Sequence, residues 1–108
     1  MVRQILEAAG FVENETYKKT RFLKVPSEDF AVYFDDEDVR GSDFENLIKS
    51  HSIRIEVYSY GADCFLEAKL EAELNWRGIP WSKSDRVWLR DDQYYMTAYY
   101  FDYQEKMR

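Results

Sequence analysis

Hydrophobic positions near the N-terminus recur at the spacing of an α-helix. One helical face, with members at i, i+3, i+4 and i+7, is formed by Val2, Ile5, Leu6 and Ala9. Gly10 follows, and a glycine at this position often adopts the left-handed conformation that ends a helix. The pattern therefore predicts a short first helix, with Phe11 folding back onto Leu6.

The next residues change to strand-like composition. The segment 16–25, "TYKKTRFLKV", carries β-branched and aromatic residues and ends before Pro26, which predicts a strand at a sheet edge. The segment 29–36, "DFAVYFDD", predicts a second, short strand. The acidic residues that follow it are expected to end in a turn near Gly41.

Strict alternation is clearest in the middle of the chain. A period of two, typical of a strand with one buried face, is set by Ile53, Ile55 and Val57 on one side and Arg54, Glu56 and Tyr58 on the other. We predict that residues 43–61 hold one short strand and this long strand, with a turn at His51 between them.

The segment 63–78, "DCFLEAKLEAELNWRG", fits a strand and a helix equally well by hydrophobic spacing. Its composition decides, because Leu, Ala, Glu and Lys are strong helix formers and leucine recurs every four residues. We predict a helix of about four turns with Asp63 as its N-cap. Gly78 is predicted to end it, with Ile79 folding onto Leu74 and Pro80 preventing continuation.

The C-terminal segment 84–106 predicts a β-hairpin with Asp91 and Asp92 at the turn. Apolar or aromatic residues lie on both faces of its last strand, so we expect both faces to be covered. The predicted order is helix, four strands, helix and two strands. It indicates one α+β domain, residues 1–108, with two helices on one face of a mainly antiparallel sheet of about five to six strands.

Composition limits the partners and the compartment. The formal net charge is -6, and no long basic run offsets it, so binding of a nucleic-acid backbone is disfavoured. The single cysteine, Cys64, cannot form an internal disulfide, and the N-terminal residues are too polar for a signal peptide, as expected in a reducing cytoplasm. No apolar run reaches the roughly 20 residues of a membrane span, so we expect no membrane partner.

The acidic run "DDED" invites comparison with a calcium loop. If Asp36 takes the first position, Asp38 and Gly41 take the third and sixth. The fifth and twelfth positions, where ligands belong, hold Arg40 and Leu47. We therefore predict a solvated acidic turn and no metal site, with loose surface binding of a divalent ion as the alternative.

No residue pattern of a known catalytic class is present. The only histidine, His51, is interpreted as a surface residue, and Cys64 as a small buried residue in the first helical turn. Asp91 and Asp92 could form an acid/base pair, but adjacent side chains at a hairpin tip point apart. The preference of aspartate for turns explains their presence better. The chain has no glycine-rich phosphate loop and no CxxC, HExxH or GxSxG motif. We predict that the protein is not an enzyme and binds no cofactor.

Three tryptophans surround the predicted corner between the second helix and the hairpin. Large rings either fill such a corner or anchor a protein interface. We interpret Trp76 as corner packing. For Trp81 and Trp88 both readings stay open, and contact with a protein neighbour is favoured. Arg86 and Arg90 share the strand face of Trp88, which is not a core-facing neighbourhood.

Charge is segregated along the chain. Residues 18–24 are basic, and the stretch that follows is strongly acidic. Salt bridges between neighbouring strands of one chain would explain this layout. Alternatively, the basic edge of one copy contacts the acidic loop of the next, a head-to-tail contact that closes into a ring if the rotation permits. The candidate subunit-interface residues are Lys18, Lys19, Arg21, Lys24, Asp35, Asp36, Glu37, Asp38, Trp81 and Trp88.

The order of elements resembles that of a known class of proteins. A helix and several strands precede "IRIEVYSYGADCFLEAKLEAELNW" at 53–76, and the final hairpin ends in "YYMTAYYFDYQEK" at 94–106. This layout resembles the small tail-terminator and head-to-tail joining proteins of long-tailed bacteriophages and prophages. The resemblance covers nearly the whole chain and rests on architecture, not on a diagnostic motif.

The resemblance implies a structural protein that forms a ring, a hexamer in the assembled particle, at the end of the tail tube. Its partners would be tail-tube and head-connector proteins, and DNA would pass through the lumen without specific binding. The implied locations are the host bacterial cytoplasm during assembly and then the virion, in the tail or neck. The chain is short for this class, so another neck role stays open.

A second hypothesis comes from the charge and the aromatic residues. A small acidic inhibitor or immunity-type protein would bind a basic partner through the "DDED" segment and exposed aromatic side chains, because acidic surfaces steer encounters with basic proteins. Such a protein would be a stable monomer whose binding depends strongly on salt. The first hypothesis instead predicts concentration-dependent oligomers.

Overall fold

The structure, a computed structural model, describes residues 1–40, 48–61 and 65–106. These ranges contain two helices and six strands: α1 (Val2–Ala8), β1 (Tyr17–Lys19), β2 (Phe30–Arg40), β3 (Ile48–Ser59), α2 (Phe65–Trp76), β4 (Ser82–Lys83), β5 (Val87–Leu89) and β6 (Tyr94–Lys106). The predicted α+β class is confirmed. Three strands precede α2 and three follow it, instead of the predicted four and two.

The six strands form one sheet in the order β1, β2, β3, β6, β4. β5 also pairs with β6, so β4 and β5 follow each other along the outer edge of β6. β1 is parallel to β2, and all other pairs are antiparallel. The three long strands β2, β3 and β6 are therefore the framework on which the short strands lie.

The hydrophobic core lies between both helices and one face of this sheet, which we call the helix face. Residues from both helices and from four strands join one buried cluster, which includes Val2, Ile5, Leu6, Leu70, Leu74, Tyr17, Ala31, Ile53, Ile55, Tyr99 and Phe101. The alternation predicted at residues 53–57 points these β3 side chains at the helices. The opposite face of the sheet, the back face, has no helix on it within the described residues.

Both predicted helix ends are confirmed. Gly10 and Gly78 have φ angles of 109° and 70°. Residues other than glycine rarely adopt such positive φ values. A hydrogen bond 3.0 Å long closes each helix. The Phe11 N–H donates to the Leu6 carbonyl, and the Ile79 N–H donates to the Leu74 carbonyl. This is the geometry of a Schellman C-cap. The predicted N-cap of α2, Asp63, lies outside the described residues, as does Cys64.

The predicted edge strand at 16–25 is too long. β1 ends at Lys19, because Thr20 adopts a φ of 74° and the Arg21 N–H bonds the Lys19 carbonyl instead of the sheet. The chain then returns to the start of β2 across the back face. Phe22 packs edge-on against Phe30 there, with ring centres 5.7 Å apart.

The turn predicted at His51 is wrong, and the acidic run at 35–38 lies in a strand instead of a solvated turn. The turn predicted near Gly41 lies outside the described residues. β2 continues to Arg40, and β3 is one strand from Ile48 onward. The two strands pair residue by residue from Phe30 opposite Tyr58 to Arg40 opposite Ile48. Across the ladder, Asp35 to Asp38 therefore oppose isoleucine, serine, histidine and serine in turn. A strand can hold this acidic run because its carboxylates alternate between the two faces.

The C-terminal hairpin is confirmed, with β5 pairing β6 and the turn at residues 90–93. The expectation that both faces of β6 are covered is only partly right. Tyr99 and Phe101 are buried on the helix face, whereas Tyr100 on the back face is 44% exposed. The back face is thus the part of the sheet that is open to a neighbour.

Candidate functional site

A three-stranded extension of the sheet carries a dense group of acidic side chains. We call residues 35–40, 48–53 and 101–106 the acidic arm. β1 pairs with β2 only as far as Tyr33, and β4 pairs with β6 only at Tyr99 and Tyr100, so both edges of the arm lack a strand partner within the described residues. The arm has six carboxylates against three Lys or Arg side chains. It is therefore a projecting, negatively charged surface.

His51 lies at the centre of the arm on its helix face and is 3% exposed. Its Nδ1 faces both carboxylate oxygens of Asp35 at 2.8 and 3.0 Å, and its Nε2 lies 2.8 Å from Oε1 of Glu105. The ring stacks on Tyr103 with a centroid distance of 4.3 Å and an interplanar angle of 3°. Oε1 of Glu37 lies 3.7 Å from Nδ1. The interpretation of His51 as a plain surface residue is wrong.

The cluster changes the protonation of its members. Burial lowers the pKa of His51, but the hydrogen bonds and charges of Asp35 and Glu105 outweigh burial and raise the pKa above its ordinary value. The hydrogen bond from His51 holds the pKa of the Glu105 carboxyl below its usual range, and Lys49 adds to this effect. The arrangement favours a cation between these carboxylates.

The predicted basic edge is confirmed as a surface feature. We call residues 18–24 the basic segment. Lys19, Arg21 and Lys24 are exposed and Lys18 is half-buried, and none of the four forms an ion pair with any residue in the described ranges. In the described part of the chain, intramolecular pairing of the basic segment with the acidic stretch is therefore not observed; Asp43 and Glu45 of that stretch lie outside it. Between these cations Leu23 is 85% exposed.

Trp81 lies at the opposite edge of the sheet from the basic segment. Its ring packs at 5.7 Å from that of Tyr99, and its indole N–H donates to Oδ1 of Asn75 at 2.9 Å. Beside it is an open groove of about 290 Å³, which we call the Trp81 groove, lined by Pro80, Trp81, Ser82, Tyr100, Phe101 and Asp102. Trp81 thus fills the corner, and part of its ring stays at the surface. Contact of Trp81 with a protein neighbour stays a prediction.

The other two tryptophans, Trp76 and Trp88, are both exposed. Trp76 is 82% exposed, so its interpretation as corner packing is wrong. The corner is filled by Ile79 and Trp81 instead, because the chain reverses at Gly78 and turns their side chains onto the core. Trp88 is 47% exposed and packs against Tyr95, with ring centres 4.7 Å apart.

A polar network is buried between α2 and β6. Glu67 is 6% exposed and accepts hydrogen bonds from Arg86 at 2.7 Å and Thr97 at 3.3 Å. The Tyr99 hydroxyl lies 3.3 Å from Glu67 and donates to Glu71, which Lys83 also contacts at 2.8 Å. Within the described residues every buried side-chain nitrogen and oxygen has a partner. The network ties the helix to the sheet.

The back face of the arm forms a second acidic surface. An open depression of about 450 Å³ is lined by Asp36, Asp38, Ser50, His51, Ser52, Asp102, Tyr103 and Gln104. Its three aspartates come from β2 and β6, which flank the serines of β3. Four of the predicted interface residues, Asp35 to Asp38, therefore divide between two faces: Asp35 and Glu37 join the His51 cluster, and Asp36 and Asp38 line this depression.

Sequence reasoning missed the His51 cluster. Asp35 and Glu37 are two residues apart, the spacing that places both on one face of a strand. The acidic run, however, predicts a turn, and in a turn this spacing does not place the two side chains on one face. The contribution of Glu105, 54 positions from His51, required the register between β3 and β6. The segment compared with a calcium loop, and found to lack two of its ligands, lies partly outside the described residues, since Gly41 and Leu47 are not among them.

Comparisons with known proteins give no match to a family model and none to a curated protein. Neither helix in the described part of the chain is long and apolar enough to cross a bilayer. The surfaces described above are therefore the basis for any functional assignment.

Proposed function

We propose that this protein is a structural protein that acts by head-to-tail assembly of identical copies. The observation that carries the proposal is the placement of two unlike surfaces at opposite edges of one sheet. The basic segment follows β1 at one edge, and the Trp81 groove adjoins β4 at the other. Contacts between unlike surfaces propagate from copy to copy and close into a ring when the rotation permits.

The two surfaces are complementary, because one has an exposed apolar side chain between cations and the other has an apolar groove beside a carboxylate. Leu23 is a strongly exposed apolar side chain between Arg21 and Lys24. The groove combines the apolar surface of Pro80 and Trp81 with the carboxylate of Asp102, which forms no ion pair within the described residues. Burying one leucine side chain contributes about 1.5–3 kcal/mol, and the opposed charges add steering and orientation.

The resemblance to tail-terminator and head-to-tail joining proteins supplies a biological setting. In that setting the assembled form is a ring, a hexamer in the particle, that ends the tail tube and contacts tail-tube and head-connector proteins. Three features support it: the unlike edges, the exposed Trp88, and an acidic balance that suits a lumen through which DNA passes without being held. The protein would then occur in the bacterial cytoplasm and in the virion.

Charge exchange across the contact tests the proposal. Lys24→Glu and Asp102→Lys are each expected to weaken self-association about three- to fivefold at low salt, because each places like charges at the rim of the contact. The double variant is expected to recover most of the wild-type affinity. Leu23→Asp is expected to weaken association at least about tenfold, since it removes the apolar contact. Sedimentation velocity gives all four constants.

A matched control is Lys69→Glu, which makes the same charge change on the exposed side of α2. It should leave association unchanged. Equal effects of Lys24→Glu and Lys69→Glu would contradict a contact at the basic segment. Additive weakening in the double variant, instead of recovery, would show that Lys24 and Asp102 do not face each other.

One observation favours the second candidate function. The depression lined by Asp36, Asp38 and Asp102 is open and acidic, as an inhibitor of a basic protein would require. In that case the protein is a monomer, Leu23→Asp has no effect, and Asp36→Asn together with Asp38→Asn weakens capture of the basic partner. The two functions are thus separated by whether Leu23→Asp or the paired substitution of Asp36 and Asp38 changes binding.

A further inference from the structure

The His51 cluster has the composition of a transition-metal site. Asp35, Glu37 and His51 each direct one ligand atom into the same space, and these atoms lie within 4.8 Å of one another. The set combines one imidazole nitrogen with carboxylate oxygens, which suits Zn²⁺ and similar ions better than Ca²⁺ or Mg²⁺. The residues belong to adjacent strands, where Glu37 pairs directly with His51.

The surroundings of His51 orient one nitrogen for binding. The Nε2 atom lies 2.8 Å from Oε1 of Glu105, to which it donates. In the neutral ring the Nδ1 lone pair is then available to bind an ion that the two β2 carboxylates also contact. The Tyr103 ring, stacked at 4.3 Å, fixes the plane of the imidazole. A carboxylate on the far nitrogen of a ligand histidine is the usual outer shell of zinc sites. Here that carboxylate comes from a third strand.

Charge and access also fit a divalent cation. Three carboxylates, those of Asp35, Glu37 and Glu105, surround the imidazole, and Lys49 contacts two of them at 3.2 and 4.0 Å. The cluster therefore retains negative charge that a cation would neutralise. The side chains of His51 and Asp35 are 3% and 13% exposed, whereas that of Glu37 is 43% exposed. An ion can enter on the Glu37 side without opening the core.

We propose that Asp35, Glu37 and His51 bind a first-row transition-metal ion, with Zn²⁺ as the best-fitting ion, and that Glu105 positions His51. The ion would join β2 to β3 at the middle of the acidic arm, with water at its remaining positions. This site is independent of the proposed head-to-tail contact, which uses residues of the basic segment and the Trp81 groove.

Titration calorimetry of the EDTA-treated chain with zinc sulfate tests the site. We expect one Zn²⁺ per chain. Glu37→Gln and His51→Gln are each expected to weaken binding at least about tenfold, and Glu105→Gln by roughly tenfold through the orientation of His51. Asp36→Asn is the matched control, because it removes a neighbouring carboxylate from the same strand but from the opposite face. It should leave the affinity unchanged.

Glu37→Gln keeps the test valid if His51→Gln fails to fold, because the Glu37 side chain is the most exposed of the three ligands. Co²⁺ provides a second readout: the wild-type chain should give visible d–d absorption that Zn²⁺ abolishes and that Glu37→Gln weakens. Binding of equal strength in Glu37→Gln and Asp36→Asn would overturn the proposal, and so would the absence of any Zn²⁺ binding by the wild-type chain.

Discussion

Replacement of Tyr99 by alanine is expected to lower the free energy of unfolding by about 4 kcal/mol, the range typical of a large core ring. Tyr99 is fully buried at the centre of β6. Its ring contacts Trp81, and Lys83 lies 5.9 Å from its centroid. Its hydroxyl donates to Glu71. The substitution therefore removes packing between helix and sheet, and it takes the Tyr99 donor from the half-buried Glu71 carboxylate, which keeps Lys83. Urea denaturation followed by circular dichroism measures the loss.

Two variants separate these contributions. Tyr99→Phe keeps the ring and should cost only about 1–2 kcal/mol, the value of one hydrogen bond to a charged group. Tyr100→Ala changes the next residue, which is 44% exposed on the back face, and should cost less than about 1 kcal/mol. If Tyr100→Ala destabilised the chain as much as Tyr99→Ala, the assignment of the two sheet faces would be wrong.

The second large effect is expected at Glu67. Glu67→Ala should cost about 3 kcal/mol, because removal of one partner leaves the other charge of a largely buried pair uncompensated. The Glu67 side chain is 8% exposed and that of Arg86 is 31% exposed, which places the estimate at the low end of the usual range. Thr97 also loses an acceptor. Thermal and urea denaturation both report the change.

A pair on the same helix supplies the control. Glu73 contacts Arg77, four positions later in the helix, at 2.9 Å, and the two side chains are 21% and 27% exposed. Glu73→Ala should cost about 0.5 kcal/mol or less. Glu67→Leu also leaves Arg86 unpaired, so it should be milder than Glu67→Ala only by the apolar packing that the leucine side chain restores. Equal costs for Glu67→Ala and Glu73→Ala would contradict the buried network.

The parts of the fold that local chemistry determines were predictable. Gly10 and Gly78 end their helices because few other residues adopt positive φ, and the residue after each glycine closes the helix as expected. The alternation at Ile53, Ile55 and Val57 correctly identified the central strand. These signals depend only on residues that are close together in the sequence, so a single sequence is sufficient to predict the structures that they form.

The parts that depend on pairing were not predictable. The acidic run Asp35 to Asp38 has low strand propensity, and only the ladder to β3 places it in a strand. Glu67 breaks the apolar face of α2, and its burial makes sense only with Arg86 from the next element. The His51 cluster likewise needs three strands in register. Long-range partners decide these positions.

The exposure of Trp76 has a related cause. Its place on the last helical turn indicated packing, but the reversal at Gly78 directs Ile79 and Trp81 onto the core instead. Small changes in the direction of the chain after a helix decide which of several nearby rings is buried. A sequence pattern does not determine that direction.

The most direct test of head-to-tail assembly is the mass of the wild-type protein in solution. Light scattering after size exclusion, over a wide range of concentrations and at low and high salt, is the measurement. For head-to-tail assembly we expect the mass to rise with concentration, above the 13.0 kDa of one chain. We also expect high salt to reduce the rise, because opposed charges contribute to the contact. A mass of one chain at every concentration and both salt levels would contradict the account.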